Sequence, residues 1–81
     1  MYLEIITPDK KVFAGEVDAA QFPGTKGSFE VLDMHAPLIS TLEKGRVRIT
    51  TKQGQEFFTV EGGVVEVLNN KIIVLAESVS A

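Results

Sequence analysis

Turn-forming residues recur so closely along this chain that no long helix fits between them. Pro8-Asp9, Gly15, Pro23-Gly24, Gly27, Gln53-Gly54, Gly62-Gly63 and Asn69-Asn70 each mark a reversal or a break. Between them apolar and polar residues alternate, which is the period of a half-buried strand. Strands are expected over Tyr2 to Thr7, Lys11 to Ala14, Glu16 to Phe22, Ser28 to Leu32, Arg46 to Thr51, Glu56 to Val60, Val64 to Leu68 and Lys71 to Ala76. Gly15 reads as a turn or a bulge between two of them. Asn69-Asn70, a pair that tolerates positive φ, joins the last two as a hairpin. Arg46 to Thr51 is the clearest case, with Val47 and Ile49 facing inward and Arg46, Arg48 and Thr50 facing water. Ala36 to Leu42 has some helical character, but Pro37 near its start favours a turn or an edge. A series of short strands spaced by turns points to an all-β sandwich or barrel.

The chain has 81 residues, enough for a single domain over 1–81 with a thin core. Of these, 44% are apolar, so a core can form. No cysteine is present, which excludes disulfides and thiolate metal sites. The formal net charge is -3, and only Arg46 and Arg48 bring basic side chains close together, which argues against nucleic acid. No apolar run approaches the roughly 20 residues of a membrane helix. The first residues carry neither a basic region nor a cleavage signature. The expectation is of a soluble, intracellular chain that meets a membrane only through another protein.

Two strands carry more apolar residues than a two-layer core needs. Ile72, Ile73, Val74 and Leu75 are apolar on both faces, and so are Phe57 and Phe58. Either loops or a partner protein must cover the outer face.

Catalytic chemistry is sparse. His35 is the one histidine, and no nucleophile and acid stand at a triad spacing from it. Beside Ala36-Pro37 it reads as a structural residue that caps its own turn. Asp33 and His35 offer two metal ligands where a stable site wants three or four. Gly62-Gly63 leads into Val64 to Leu68, a strand and not a helix, so it reads as a strand break and not as a phosphate loop. No catalytic residue, cofactor or metal is assigned.

Several blocks together carry a family resemblance. They are Val12-Phe13-Ala14-Gly15, His35-Ala36-Pro37-Leu38, Leu42 with Gly45, Val60-Glu61-Gly62-Gly63-Val64-Val65-Glu66-Val67, and Val74-Leu75-Ala76-Glu77. In this order and spacing the chain resembles the N-terminal β-sandwich domain of ATP synthase epsilon subunits. The resemblance implies a ten-stranded sandwich of two five-stranded sheets. It implies a non-catalytic central-stalk subunit that binds the gamma subunit and the c-ring, coupling proton translocation to ATP synthesis. It implies a place at the cytoplasmic face of a bacterial inner membrane, peripheral to the bilayer. The c-ring contact then falls on Lys26, Gly27, Ser28, Phe29 and Glu30. The gamma contact falls on Val12, His35, Ala36, Pro37, Leu38 and Ile39. Glu30 and Asp33 depart from the glycine and proline pattern that the family shows before the histidine. Many family members continue into two C-terminal helices with an inhibitory function and, in some, an ATP site. This chain ends at Ser80-Ala81, so neither property carries over, and a natural short form is expected.

The competing class is a lipoyl or biotinyl carrier module, with its modified lysine in Asp9-Lys10-Lys11. Against it, the halves are not symmetric and no methionine flanks the lysine. A small enzyme or sugar-binding jelly roll would need clustered exposed aromatics or paired carboxylates, and one Tyr, five Phe and no Trp offer little for stacking.

Overall fold

A computed structural model describes residues 1–80. Ten strands follow one another: β1 (Tyr2–Ile6), β2 (Lys11–Glu16), β3 (Ala19–Gly24), β4 (Gly27–Leu32), β5 (Leu38–Leu42), β6 (Gly45–Thr51), β7 (Gly54–Val60), β8 (Gly63–Leu68), β9 (Lys71–Ala76) and β10 (Val79–Ser80). Local chemistry sets the reversals. Asn69 and Asn70 have φ of 51° and 62°, the left-handed pair of a tight β8–β9 hairpin. Thr25-Lys26 and Lys52-Gln53 are two-residue turns, each followed by a glycine with φ of 121°.

The strands hydrogen-bond in the order β10-β7-β6-β3-β5-β8-β9-β1-β2, with β4 added on β3. The expected pair of separate five-stranded sheets is therefore one continuous ladder. Its narrowest point is the β3–β5 joint, where only Gly24 pairs with Leu42. On one side lie β10, β7, β6, β3 and β4; on the other lie β5, β8, β9, β1 and β2. Gly24 is required at this joint. A Cβ there would stand 2.7 Å from the Gly27 carbonyl oxygen and 2.9 Å from Phe29 Cε1. Gly63, the next-but-one residue across the same row, has φ of 148°, and a Cβ there would run into the Leu75 carbonyl oxygen.

Both halves contribute to one core. Leu3 and Ile5 of β1, Ile72 and Val74 of β9, and Val65 and Val67 of β8 pack with Phe22, Val31, Val47, Ile49 and Val60 of the other half. The outer strands meet as well: Phe13 of β2 and Phe58 of β7 make an edge-on contact at 5.9 Å. The chain crosses between halves at buried Val17, whose N–H donates to Met1 O at 2.8 Å, while Asp18 N–H donates to Thr50 O at 2.7 Å. The result measures 27 × 26 × 19 Å, room for two sheet layers about 10 Å apart with their outer side chains.

Two segments differ from their sequence-based reading. Gly15 is neither a turn nor a bulge. It continues β2 opposite Leu3, and the break comes later, at Val17-Asp18. The bulge falls at Val12, between the Ile5–Phe13 and Ile6–Lys11 pairs, which lets the consecutive Val12 and Phe13 both pack on the core. The segment with helical character is strand β5, paired along its length with β8. Leu38 and Leu42 face the core while Ile39 points outward.

On the outward side of the β1–β2 pair, Lys11 Nζ donates to Glu4 Oε2 at 2.9 Å. This hydrogen bond first, with the lysine's charge, holds the Glu4 carboxyl below the usual carboxylate range and raises Lys11. A lowered folded-state pKa means the pair favours the fold above the ordinary carboxylate pKa. That contribution is lost as pH falls through the lowered value. An NMR titration should find the Glu4 midpoint moving back up in Lys11→Met; an unmoved midpoint would show the pair to be absent in solution.

The strand phase gives a second test. Val47 is fully buried on β6, while Arg48, one residue on, reaches Glu30 Oε2 at 3.3 Å across the outer face. Val47→Asp should cost about 4 kcal/mol or more in urea unfolding. Arg48→Ala should cost no more than about 1 kcal/mol, the worth of a surface ion pair. Equal losses would contradict the assigned phase.

Candidate interaction surfaces

The residues expected at the c-ring do not share one face. Lys26, Gly27 and Ser28 form the exposed tip of the β3–β4 hairpin. Phe29 turns inward, 5.7 Å from Phe22, because alternate residues of a strand face opposite ways. Glu30 turns outward again and holds Arg48. Lys26 and Ser28 are thus the side chains a partner at this tip could read directly.

The residues expected at gamma lie at the other end of β4, about 20 Å away for a strand of its length. His35, Ala36, Pro37, Leu38 and Ile39 form the loop into β5 and its first residues. The loop is held firmly. His35 Nδ1–H donates to the Ala36 carbonyl at 2.7 Å, and His35 N–H donates to Leu32 O at 3.2 Å. Met34, with φ of 63°, donates its N–H to Asn70 Oδ1 at 2.8 Å, and Asn70 Nδ2 donates to Asp33 Oδ1 at 2.9 Å. One side chain, Asn70 of the β8–β9 hairpin, therefore holds the two central residues of the Leu32–His35 turn. Val12 stands apart. It lies on β2, four strand spacings from β5, or about 19 Å, and packs on the core.

The outward face of β5, β8 and β9 joins the His35 loop to a wider apolar surface. Ile39, Val64, Leu68 and Leu75 are exposed there, Ile39 at 71% and Leu75 at 54%. No loop of the described residues covers them. On the other half the Arg46 guanidinium lies 4.4 Å from the ring centroid of Phe57, which stays partly exposed, as does Leu32 of β4. Three shallow depressions open on the β5–β8–β9 side. One of about 400 Å³ is lined by Ile6, Pro8 and Leu75. Another of about 440 Å³ is lined by Pro37, Ile39, Glu66 and Leu68. The third, about 270 Å³, is lined by Glu66, Leu68, Lys71 and Ile73.

Leu75 and Ile73 stand out as surplus in the sequence, whereas Val64, Leu68 and Glu66 do not. Within β8 they look like ordinary alternation, and only the register with β5 and β9 reveals their shared face. Chemically the surface suits burial against another protein. Asp33 and His35 are engaged with Asn70 and with backbone, and among the described residues no three His, Cys, Asp or Glu side chains stand close enough for a metal. No helix of the described residues is long and apolar enough to cross a membrane.

Comparison with known proteins identifies the family and the fold. The family described as ATP synthase, delta/epsilon chain, beta-sandwich domain matches residues 1–81. The ATP synthase epsilon chain of Chlorobium limicola is 43% identical over 79 residues, covering 96% of this chain and 90% of that one. That of Pelotomaculum thermopropionicum is 47% identical over 77 residues, covering 94% of this chain and 57% of the relative. Among solved structures, a chain of the Euglena gracilis mitochondrial ATP synthase (OSCP/F1/c-ring) superposes with a TM-score of 0.90 at 18% identity, covering 96% of this chain and 51% of that chain. A chain of the Tetrahymena thermophila mitochondrial ATP synthase central stalk/c-ring gives 0.83 at 16% identity, covering 98% and 64%. At those identities the structures establish the fold, and the carrier-module reading falls away. On the family match and the relatives' identity, the chain belongs to the epsilon chains of ATP synthase, as their delta/epsilon beta-sandwich domain, a subunit of that enzyme and not its catalytic part.

Proposed function

We propose that this chain is a coupling piece of the central stalk of a rotary ATP synthase, bound to the gamma subunit at one end and to the polar loops of the c-ring at the other. In this role it passes rotation between the proton-driven ring and the shaft, at the cytoplasmic face of a bacterial membrane and without touching the bilayer core. Its strands act as two five-stranded layers divided at the Gly24–Leu42 pair. The observation that carries the reading is the separation of two unlike surfaces. A small polar tip with Lys26 and Ser28 stands at one end of β4. A firmly held loop, continuous with an exposed apolar sheet face, stands at the other. A coupling subunit needs two such surfaces on a body that does not deform. The apolar face suits the lasting contact, since burial of apolar area dominates stable association. The polar tip suits contact with polar loops. Gamma then takes His35, Ala36, Pro37 and Ile39, and the c-ring takes Lys26, Gly27 and Ser28.

The two contacts should separate by mutation. Ala36→Glu places a charge in the apolar contact and should weaken binding to isolated gamma by about 2 kcal/mol or more. Lys26→Glu should leave gamma binding unchanged and weaken association with the membrane sector by no more than about 1 kcal/mol, with a change in salt dependence. Pull-downs with each partner provide the measurement. Equal loss of gamma binding by both variants would contradict the two-surface arrangement. A wild-type chain that binds neither partner would overturn the proposed role.

A further inference from the structure

Glu66 occupies an unusual place on the outward face of the β5–β8–β9 sheet. Its two cross-strand neighbours are Ile39 on β5 and Ile73 on β9. Its neighbours along β8 on the same face are Val64 and Leu68. Every nearest neighbour of this carboxylate on the face is thus apolar. No basic side chain of the described residues pairs with it. Lys71 is the basic residue closest in register, diagonal to Glu66, but its Nζ lies over the Tyr2 ring, 5.8 Å from the centroid. Glu4, the other carboxylate in the same row of the sheet, already holds Lys11. Glu66 also lines two of the surface depressions, one toward Pro37, Ile39 and Leu68 and one toward Lys71 and Ile73.

Alternation alone would put a polar residue here, and an isolated exposed glutamate is ordinary. The surroundings are what make it informative. A partner that covers Ile39, Val64, Leu68 and Leu75 must also cover Glu66. A carboxylate buried without a counter-charge is strongly unfavourable, so the covering surface has to bring a cation. The depression between Pro37, Ile39 and Leu68 has the chemistry for the cation's stem: apolar walls for methylenes and a carboxylate for the charged head.

We propose that Glu66 is the ionic anchor of this face, receiving a lysine or arginine side chain of the gamma subunit through the depression beside Ile39 and Leu68. The contact to gamma then extends from the His35 loop across β8 to β9, and the carboxylate sets its register and its choice of partner. A surface that brings apolar groups alone is rejected, because it leaves Glu66 buried and unpaired. This inference rests on gamma being the partner that covers the face.

The test is the affinity of the intact chain for isolated gamma subunit, measured by titration calorimetry at low and moderate salt for wild type, Glu66→Gln, Glu66→Lys and Leu75→Ser. Each variant's melting curve serves as the folding control, and both Glu66 and Leu75 are exposed, so the curves should match wild type. The expected result is about a 10-fold loss for Glu66→Gln and at least about a 30-fold loss for Glu66→Lys. Glu66→Gln should also flatten the salt dependence, which loss of shape alone would not do. Leu75→Ser should weaken binding while keeping the wild-type salt dependence. If wild type binds gamma and both Glu66 variants bind equally well, the anchor is refuted while the partner stands. If they bind as wild type but self-associate, the carboxylate serves only to keep the free face from pairing with itself, and the anchor is likewise refuted. If wild type does not bind gamma at all, the partner assignment fails and the anchor for a gamma side chain falls with it.

Discussion

The fold turns on the row of residues that crosses its narrow joint. Gly24, Leu42, Gly63 and Ala76 pair in sequence across β3, β5, β8 and β9. Two of the four lack side chains because backbone or a ring already fills the space a Cβ would take. The backbones close in here, and the ladder passes from one half to the other through a single residue pair. Neighbouring bonds clamp the joint: Thr25 N–H to Thr41 O at 3.1 Å and Glu43 N–H to Pro23 O at 2.9 Å. With the halves fixed in this way, the inward rows of both can share one core. An 81-residue chain could not build two cores.

The joint also decides what is left outside. Once the inner faces are spent on each other, no element of the described residues covers the outer face of β5, β8 and β9. Its apolar side chains are thus surplus to the shared core, which suits them to burial in an assembly. The opposite half shows the contrast. There Arg46 stacks on Phe57 and Glu30 holds Arg48, so paired charges interrupt the exposed apolar side chains Phe57 and Leu32. The two outer faces thus differ in how charge interrupts them, which gives the domain a direction in an assembly. The firm seating of the His35 loop through Asn70 fits the same division, since a contact loop held by side-chain and backbone bonds loses little freedom on docking.

Much of this was legible in the sequence where the controlling chemistry is local. The Asn69-Asn70 hairpin, the inward Val47 and Ile49, and the Gly62-Gly63 break depend on neighbouring residues alone, and each stands as read. Strand β5 was obscured for an instructive reason. Leu38, Ser40 and Leu42 alternate properly, but Ile39 adds an apolar residue on the outer face, and Leu38, Ile39 and Leu42 together imitate a helical stripe. The same residue that spoils the pattern belongs to the surface left open for a partner. The bulge at Val12 was hidden similarly, because only pairing with β1 shows where the extra residue lies. Glu66 could not be singled out at all. Its meaning comes from Ile39 and Ile73, which lie far from it in sequence and beside it in the sheet. The family resemblance supplied the number of strands, whereas their joining into one ladder through Gly24 is a long-range outcome no local signal encodes.

The central claim is that the outer face of β5, β8 and β9 is covered in the working assembly. Carbene footprinting of the free chain and of the chain within intact ATP synthase addresses it directly, since carbenes label aliphatic side chains wherever solvent reaches them. The account predicts that Ile39, Val64, Leu68 and Leu75 label readily in the free chain and are protected in the assembly, while the opposite outer face around Phe57 labels alike in both. Equal labelling of the four aliphatic residues in the two states would contradict it.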